Sequence, residues 1–246
     1  MKYKILVLIA LMIIAWACKN SSHSETSLDY KVVEMKRIIE DTAHYSINMA
    51  FPVFSSHIAT KNKNLELLNK KIQAFLDTAA YYYWGVRVED VEKMITETGS
   101  AGKFVLINNY HLLDTTPALI SVKLETYSYA LGAHGFNALH TFNFDLTNNT
   151  FLKLSDVLDL SSQANIDRLN ALLKANFNNP EDCFNELPTA DADFILFGKE
   201  PDSLVFFYEA YELGAYYCGE AVVKILVNDL KKADLWKGKS NFTTSP

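Results

Sequence analysis

At 246 residues, 49% of them hydrophobic, the chain is long enough to bury a sizeable core as one large or two small domains. A net charge of −6 without basic clusters excludes the usual electrostatic footprint of a nucleic-acid binder. Mild acidity could steer a cationic partner, but it is also ordinary solubility.

The first residues read as a targeting device. Lys2 and Lys4 form a positive start, and Ile5 to Ala15 is an apolar run too short to span a bilayer comfortably. Ala15-Trp16-Ala17-Cys18 then resembles a bacterial lipobox, which predicts a signal peptide over 1–17 and an acylated Cys18. An ordinary secretory signal with an incidental cysteine is the other reading. Several acyl chains on one cysteine would anchor stably where a single chain binds only marginally. Residues 18–29 lack hydrophobic periodicity and read as a flexible tether. Lys19 stands where a retention aspartate would sit in some bacteria, so the expected location is the cell envelope, on the outer membrane.

A strand is predicted from Tyr30 to Ile39, and a half-buried strand from Tyr45 to Phe51 that Pro52 ends. Leu65, Leu68, Ile72, Phe75, Leu76 and Ala79 fall at helical spacing, with Asn64 as N-cap. A second helical piece runs from Val88 to Glu97 before Gly99. Phe104–Leu113, Ala118–Ala130 and Ala138–Leu146 follow as strands whose short connections favour antiparallel pairing. Ser155–Leu160 reads as a single turn, and Ile166, Leu169, Leu172 and Leu173 mark a helix capped by Ser161 or Ser162. Phe194–Phe197 and Ser203–Tyr208 flank a polar hairpin tip, Gly198 to Asp202. Ala221–Val227 is the last strand and Asn228–Trp236 a terminal helix.

Helices punctuating antiparallel strands define an α+β class, with antiparallel sheets and a few packed amphipathic helices. A repeated strand–helix–strands pattern suggests two abutting subdomains, 30–146 and 147–236, before a disordered tail at 237–246.

The residues carrying chemistry are few. His134 lies in a Gly132-Ala133-His134-Gly135 turn, and His140 begins the next strand. No His-x-x-x-His or His-x-His spacing occurs, so neither a metal nor another cofactor is expected. His134 is expected to lock its turn through a backbone hydrogen bond. There is no Gly-x-Ser-x-Gly elbow and no Ser-x-x-Lys, and no catalytic residue is assigned. Carboxylate pairs such as Asp191 with Asp193, or Glu209 with Glu212, are too common to name as acid and base. Cys183 and Cys218 form a plausible disulfide in an exported protein, with two separate buried thiols as the alternative. The segment from Tyr211 to Gly219 puts three tyrosines among two glycines. It is either a surface recognition loop or a bulge that packs tyrosines on the core.

Several of these residues carry a family resemblance. Tyr129, Leu131-Gly132-Ala133-His134-Gly135, Phe144-Asp145-Leu146 and Leu154-Ser155-Asp156 resemble the paired domains outside the cell in a lysozyme-sensing anti-sigma factor. The same pattern is similar to the non-catalytic N-terminal region of a peptidoglycan deacetylase and to uncharacterised lipoproteins. Tyr211, Gly214, Tyr217 and Gly219 match a later family loop loosely, while Leu131 replaces the usual first glycine. The resemblance implies an extracytoplasmic binding module, with no length left for a deacetylase domain or a cytoplasmic sigma-binding segment.

The resulting expectation is a lipid-anchored, non-enzymatic envelope protein that binds a lysozyme-like protein or peptidoglycan, and no nucleic acid. Its ligand surface is assigned to Tyr127, Tyr129, His134, Tyr211 and Tyr217. The alternatives are an envelope glycan hydrolase using His134 and a neighbouring carboxylate, or a structural part of a lipoprotein assembly.

Overall fold

A computed structural model describes residues 28–41, 44–84, 88–99, 102–190 and 195–238. The leader, Cys18, most of the tether, Asp191, Asp193 and the end of the tail lie outside the described residues. In chain order the elements are β1 (Lys31–Asp41), β2 (Tyr45–Ser55), α1 (Ala59–Trp84), α2 (Val88–Thr98), β3 (Phe104–Thr115), β4 (Leu119–Tyr129), β5 (Phe136–Asp145), β6 (Thr150–Phe151), α3 (Leu154–Val157), α4 (Gln163–Asn176), β7 (Leu196–Glu200), β8 (Ser203–Tyr208), β9 (Ala221–Leu226) and α5 (Val227–Lys232).

They form an α+β fold with two sheets. Six strands run in the order β1-β2-β3-β4-β5-β6, and three in the order β7-β8-β9. All pairs are antiparallel except β2 with β3, which pair in parallel over Tyr45–Met49 and Phe104–Asn108. The α+β class and antiparallel sheets expected from the sequence are present, with one parallel seam among them. The reason is topological: α1 and α2 fill the connection and return the chain in the same direction.

Alternation along the central strands sets the layers. Ile120, Val122 and Leu124 of β4, with Phe142 and Phe144 of β5, pack with Leu65, Leu68, Ile72 and Leu76 of α1. The opposite face carries Ser121, Lys123, Glu125 and Tyr127, and it is met by the three-stranded sheet. Val205 and Phe207 of β8 pack there against Leu139 and Leu113. Leu204, Phe206, Val223 and Ile225 turn the other way, onto Leu169 and Leu173 of α4 and Leu230 of α5. The order is helix, large sheet, small sheet, helices.

The two sheets meet through a buried polar seam. Ser121 Oγ donates to Asn143 Oδ1 (2.7 Å), Asn143 Nδ2 donates to the Phe197 carbonyl (2.8 Å), and Lys199 N–H donates to Ser121 Oγ (3.0 Å). Lys199 is 2% exposed. Its ammonium lies 3.4 Å from Asp114 and also donates to the carbonyls of Glu200 and Pro201. A β-bulge between Leu112 and Asp114 sets Asp114 opposite Ser121, on the face that Lys199 reaches. Burial pushes the Asp114 carboxyl above its ordinary range, against the pull of Lys199. Burial likewise pushes Lys199 down, against the pull of Asp114.

Several local expectations are corrected. Pro52 lies inside β2, opposite Glu34; pairing with β3 has already ended at Met49, so the missing N–H breaks no ladder there. Asn64 sits a turn inside α1, where its Nδ2 donates to the Leu146 carbonyl (3.1 Å). Of the two serines offered as caps for α4, Ser162 accepts from Asn165 N. The polar hairpin tip shrinks to Pro201-Asp202, because Gly198, Lys199 and Glu200 belong to β7. Charge alone argued for a surface position, and the Asp114 partner is distant in sequence. Lys237 is held by hydrogen bonds to Val157 O and Ser155 O, so the ordered chain continues past 236. After Thr147 the chain still adds β6 to the first sheet.

Candidate functional site

The family-like motifs are local locks. Leu131, where the pattern has glycine, takes φ 62°, whereas Gly132 and Gly135 do not have positive φ. Gly135 makes room for a neighbour: a Cβ there would lie 2.3 Å from the tip of the Tyr127 ring, which would have to swing aside. Asp145 Oδ1 accepts from Thr147 N (2.8 Å) and Asn148 N (2.9 Å), closing the polar turn after β5. Asp156 Oδ2 accepts from Lys153 N (2.9 Å) at the start of α3.

His134 joins its turn to the loop after β8. Its Nδ1 lies 2.8 Å from the Gly135 carbonyl, so that nitrogen carries the proton and donates. In the neutral ring this leaves Nε2 as an acceptor, 3.5 Å from the Tyr211 hydroxyl. Tyr216 stacks on the imidazole at 4.2 Å between centroids, and its hydroxyl also donates to Gly135 O (2.6 Å). Tyr211, with its backbone at φ 78°, lies 5.5 Å from Tyr216 between ring centroids. Among the described residues no carboxylate bonds to His134.

Beside this stack lies a cleft of about 400 Å³. Its floor comes from the polar face of the large sheet, Glu125 of β4 with Asn137 and Leu139 of β5. Its wall comes from the loop after β8, including Glu209, Tyr216, Tyr217 and Glu220. Tyr217 stands on the rim, 82% exposed. Glu209 ties wall to floor, since its Oε1 accepts from Leu139 N (2.5 Å).

Charge in the cleft is arranged around Lys123, which lies over the Phe207 ring, pairs with Glu125, and reaches Glu220 at 3.4 Å. His111 Nε2 is 3.1 Å from the other Glu125 oxygen. Burial raises the Glu125 carboxyl, but hydrogen bonds from Lys123 and His111 outweigh it and hold the group below the usual carboxylate range. Glu125 is therefore ionised at neutral pH. Burial pushes Glu212 up, with the nearby Glu209 charge adding to it and a backbone hydrogen bond opposing it. The cleft thus offers fixed acceptors, one amide and two phenol rings, which suits a ligand rich in hydroxyl, amide or ammonium groups.

The wall is fixed by covalent and backbone bonds. Cys183 and Cys218 are bonded (S–S 2.07 Å, Cα–Cα 5.7 Å). Phe184 and Gly214 form an isolated bridge beside them. A Cβ on Gly214 would sit 3.2 Å from Phe184 Cα, so only glycine fits without a shift.

Of the residues assigned from sequence, Tyr127, His134 and Tyr211 gather around the Gly135 turn, and Tyr217 lies on the cleft. Tyr129 stands apart, packed with Val91, Phe104 and Leu131. Sequence reasoning did not select Tyr216, Glu125, Asn137 or Glu220. Strand parity offers one signal: Glu125 and Tyr127 share a face of β4, and Asn137 opposes Tyr127 in β5. Nothing comparable points to Glu220.

No family model matches the chain. It is 22% identical over 218 residues to the peptidoglycan-N-acetylmuramic acid deacetylase PdaC of Bacillus subtilis, covering 84% of this chain and 43% of that enzyme. The chain thus spans less than half of the curated relative it matches. Two solved structures share the fold. A DUF3298 family member from Bacteroides fragilis superposes with a TM-score of 0.61 at 18% identity, covering 87% of this chain and 96% of that one. A DUF3298 family protein from Pseudomonas aeruginosa gives 0.56 at 15% identity, covering 89% and 98%. The likeness to a peptidoglycan deacetylase is thereby found by sequence, and the fold is shared with DUF3298 proteins.

Proposed function

We propose that the chain is a cell-envelope binding module whose cleft takes a segment of peptidoglycan and catalyses no reaction on it. The observation that carries this reading is the cleft itself: Tyr216 and Tyr217 beside Glu125, Glu209, Glu220 and Asn137. Phenol rings cover sugar faces, while carboxylates and an amide accept and donate to hydroxyl, acetamido and ammonium groups. The similarity to an enzyme named for peptidoglycan supports the ligand class. In this reading an acylated Cys18 holds the module at the outer membrane.

A second reading is a cationic, lysozyme-like protein as ligand, favoured by the three glutamates at the cleft. A concavity of about 400 Å³ matches a sugar unit or short peptide better than a flat protein face.

Co-sedimentation with insoluble peptidoglycan tests the proposal, with lysozyme retention measured in parallel. Retention on peptidoglycan is expected, and Tyr217→Ala should weaken it roughly tenfold without lowering stability. No retention sinks the proposal. Retention of lysozyme alone, weakening as salt is added, transfers it to the second reading.

A further inference from the structure

The two edges of the large sheet differ. β6 closes one edge with two residues. β1 leaves eleven on the other, with no strand beyond it among the described residues. A long open edge is a template for another strand, and most folds shorten it, bend it or cover it. This one instead exposes apolar side chains along it: Ile38 at 64%, Val33 at 52% and Met35 at 46%.

We infer that β1 pairs with β1 of a second copy, antiparallel about Met35, to join two six-stranded sheets into one. A two-fold axis along the sheet normal keeps each face on its own side, so only residues sharing a face can oppose one another. With Met35 on the axis, one face pairs Val32 with Ile38 and Glu34 with Lys36, and symmetry repeats both pairs. Apolar meets apolar and negative meets positive. On the other face Val33 opposes Arg37 and Lys31 opposes Ile39, with Met35 meeting itself.

The neighbouring registers fail on charge. Moving the axis to Glu34 sets that glutamate against its own copy and Lys31 against Arg37. Moving it to Lys36 sets two lysines face to face. Like charges directly opposed destabilise a strand pair, and opposite ones support it. The charges at Glu34 and Lys36 thus favour the Met35 register over the two on either side of it.

The surroundings accommodate it. Within the chain Lys36 and Glu34 already lie 3.3 Å apart, both well exposed, so pairing would build a four-charge cluster from two existing ion pairs. On the other face Arg37, Ile39, Asp77, Ala80 and Tyr81 line an open, mainly apolar groove beside the edge. There the stems of Val33 and Lys31 from the second copy would lie. Because a strand pair alone is a small interface, association should be weak and concentration-dependent.

Sedimentation velocity on the full chain in detergent micelles, across a wide concentration range, tests this. A reversible monomer–dimer equilibrium is expected. Glu34→Lys, which opposes two lysine pairs, should weaken dimerisation roughly tenfold or more. Lys36→Glu should do the same, and the double exchange Glu34→Lys with Lys36→Glu should restore the native value. Glu34 also bonds to the Tyr110 hydroxyl, so the folding control is Lys36→Glu, whose side chain is 63% exposed and whose thermal melting should not move. A chain monomeric at every concentration overturns the inference. So does a dimer that survives Glu34→Lys, or one that the double exchange fails to restore.

Discussion

The two faces of the large sheet are built on different principles. Under α1 the contact is apolar side chain on apolar side chain, and many arrangements of similar volume would serve. Under the small sheet the apolar contact of Val205, Phe207, Leu139 and Leu113 is joined by Ser121, Asn143, Lys199 and Asp114, each bonded to a named partner. The first kind of contact supplies stability with little directional preference. The second supplies direction: it fixes where β7 crosses the large sheet, and hence where the loop after β8 stands over Glu125 and Asn137. The cleft lies on the face whose packing is specified.

The sharpest way to break that contrast is to remove one member of the buried pair. Lys199→Met leaves Asp114 buried without its cation and should cost about 3–5 kcal/mol in urea unfolding. Adding Asp114→Leu should recover most of that loss, because an apolar pair of similar size avoids the desolvation cost. Ligand retention should stay impaired in the recovered double variant if the pair orients the cleft. Full recovery of both would show that the seam has no such role.

On the apolar face, Leu68→Ala should cost about 3 kcal/mol through lost burial and a residual cavity. Retention on peptidoglycan, measured where the variant is still folded, should remain native. A change in affinity would mean that the two faces are coupled.

The smallest effect concerns pH. Glu125 is held below the ordinary carboxylate range in the fold, so its contribution is present above the unfolded pKa. It is lost as pH falls through the lower folded value. Glu125 is partly exposed, so solvent screening keeps that contribution small. Glu125→Gln should therefore flatten the acid limb of a stability–pH curve and leave the neutral plateau almost unchanged. An unaltered acid limb would remove Glu125 from the account.

Much of the fold was legible because its signals are local. Alternation in β3, β4 and β5, the helical spacing of Leu65 to Ala79 and the cap of α4 depend on neighbours in the chain. Non-local facts were not legible. The parallel pairing of β2 with β3 depends on how two helices return the chain. Lys199 reads as surface until Asp114, 85 residues earlier, is placed beside it. At the site the same division holds. His134 and the tyrosines of the later loop stood out through their glycines. Yet Tyr216 rather than Tyr217 stacks on His134, and the carboxylates of the cleft come from segments that meet only in three dimensions.

The bond between Cys183 and Cys218 carries a consequence for where this protein can work. Cys218 ends the turn that bears Tyr216 and Tyr217, so the aromatic wall is stapled to a segment 35 residues away in sequence. Thiols stay reduced in the cytosol and oxidise after export. With both thiols reduced, the same sheets and the same glutamates would carry an unstapled wall. The aromatic wall, unlike the rest of the molecule, is completed only where thiols oxidise.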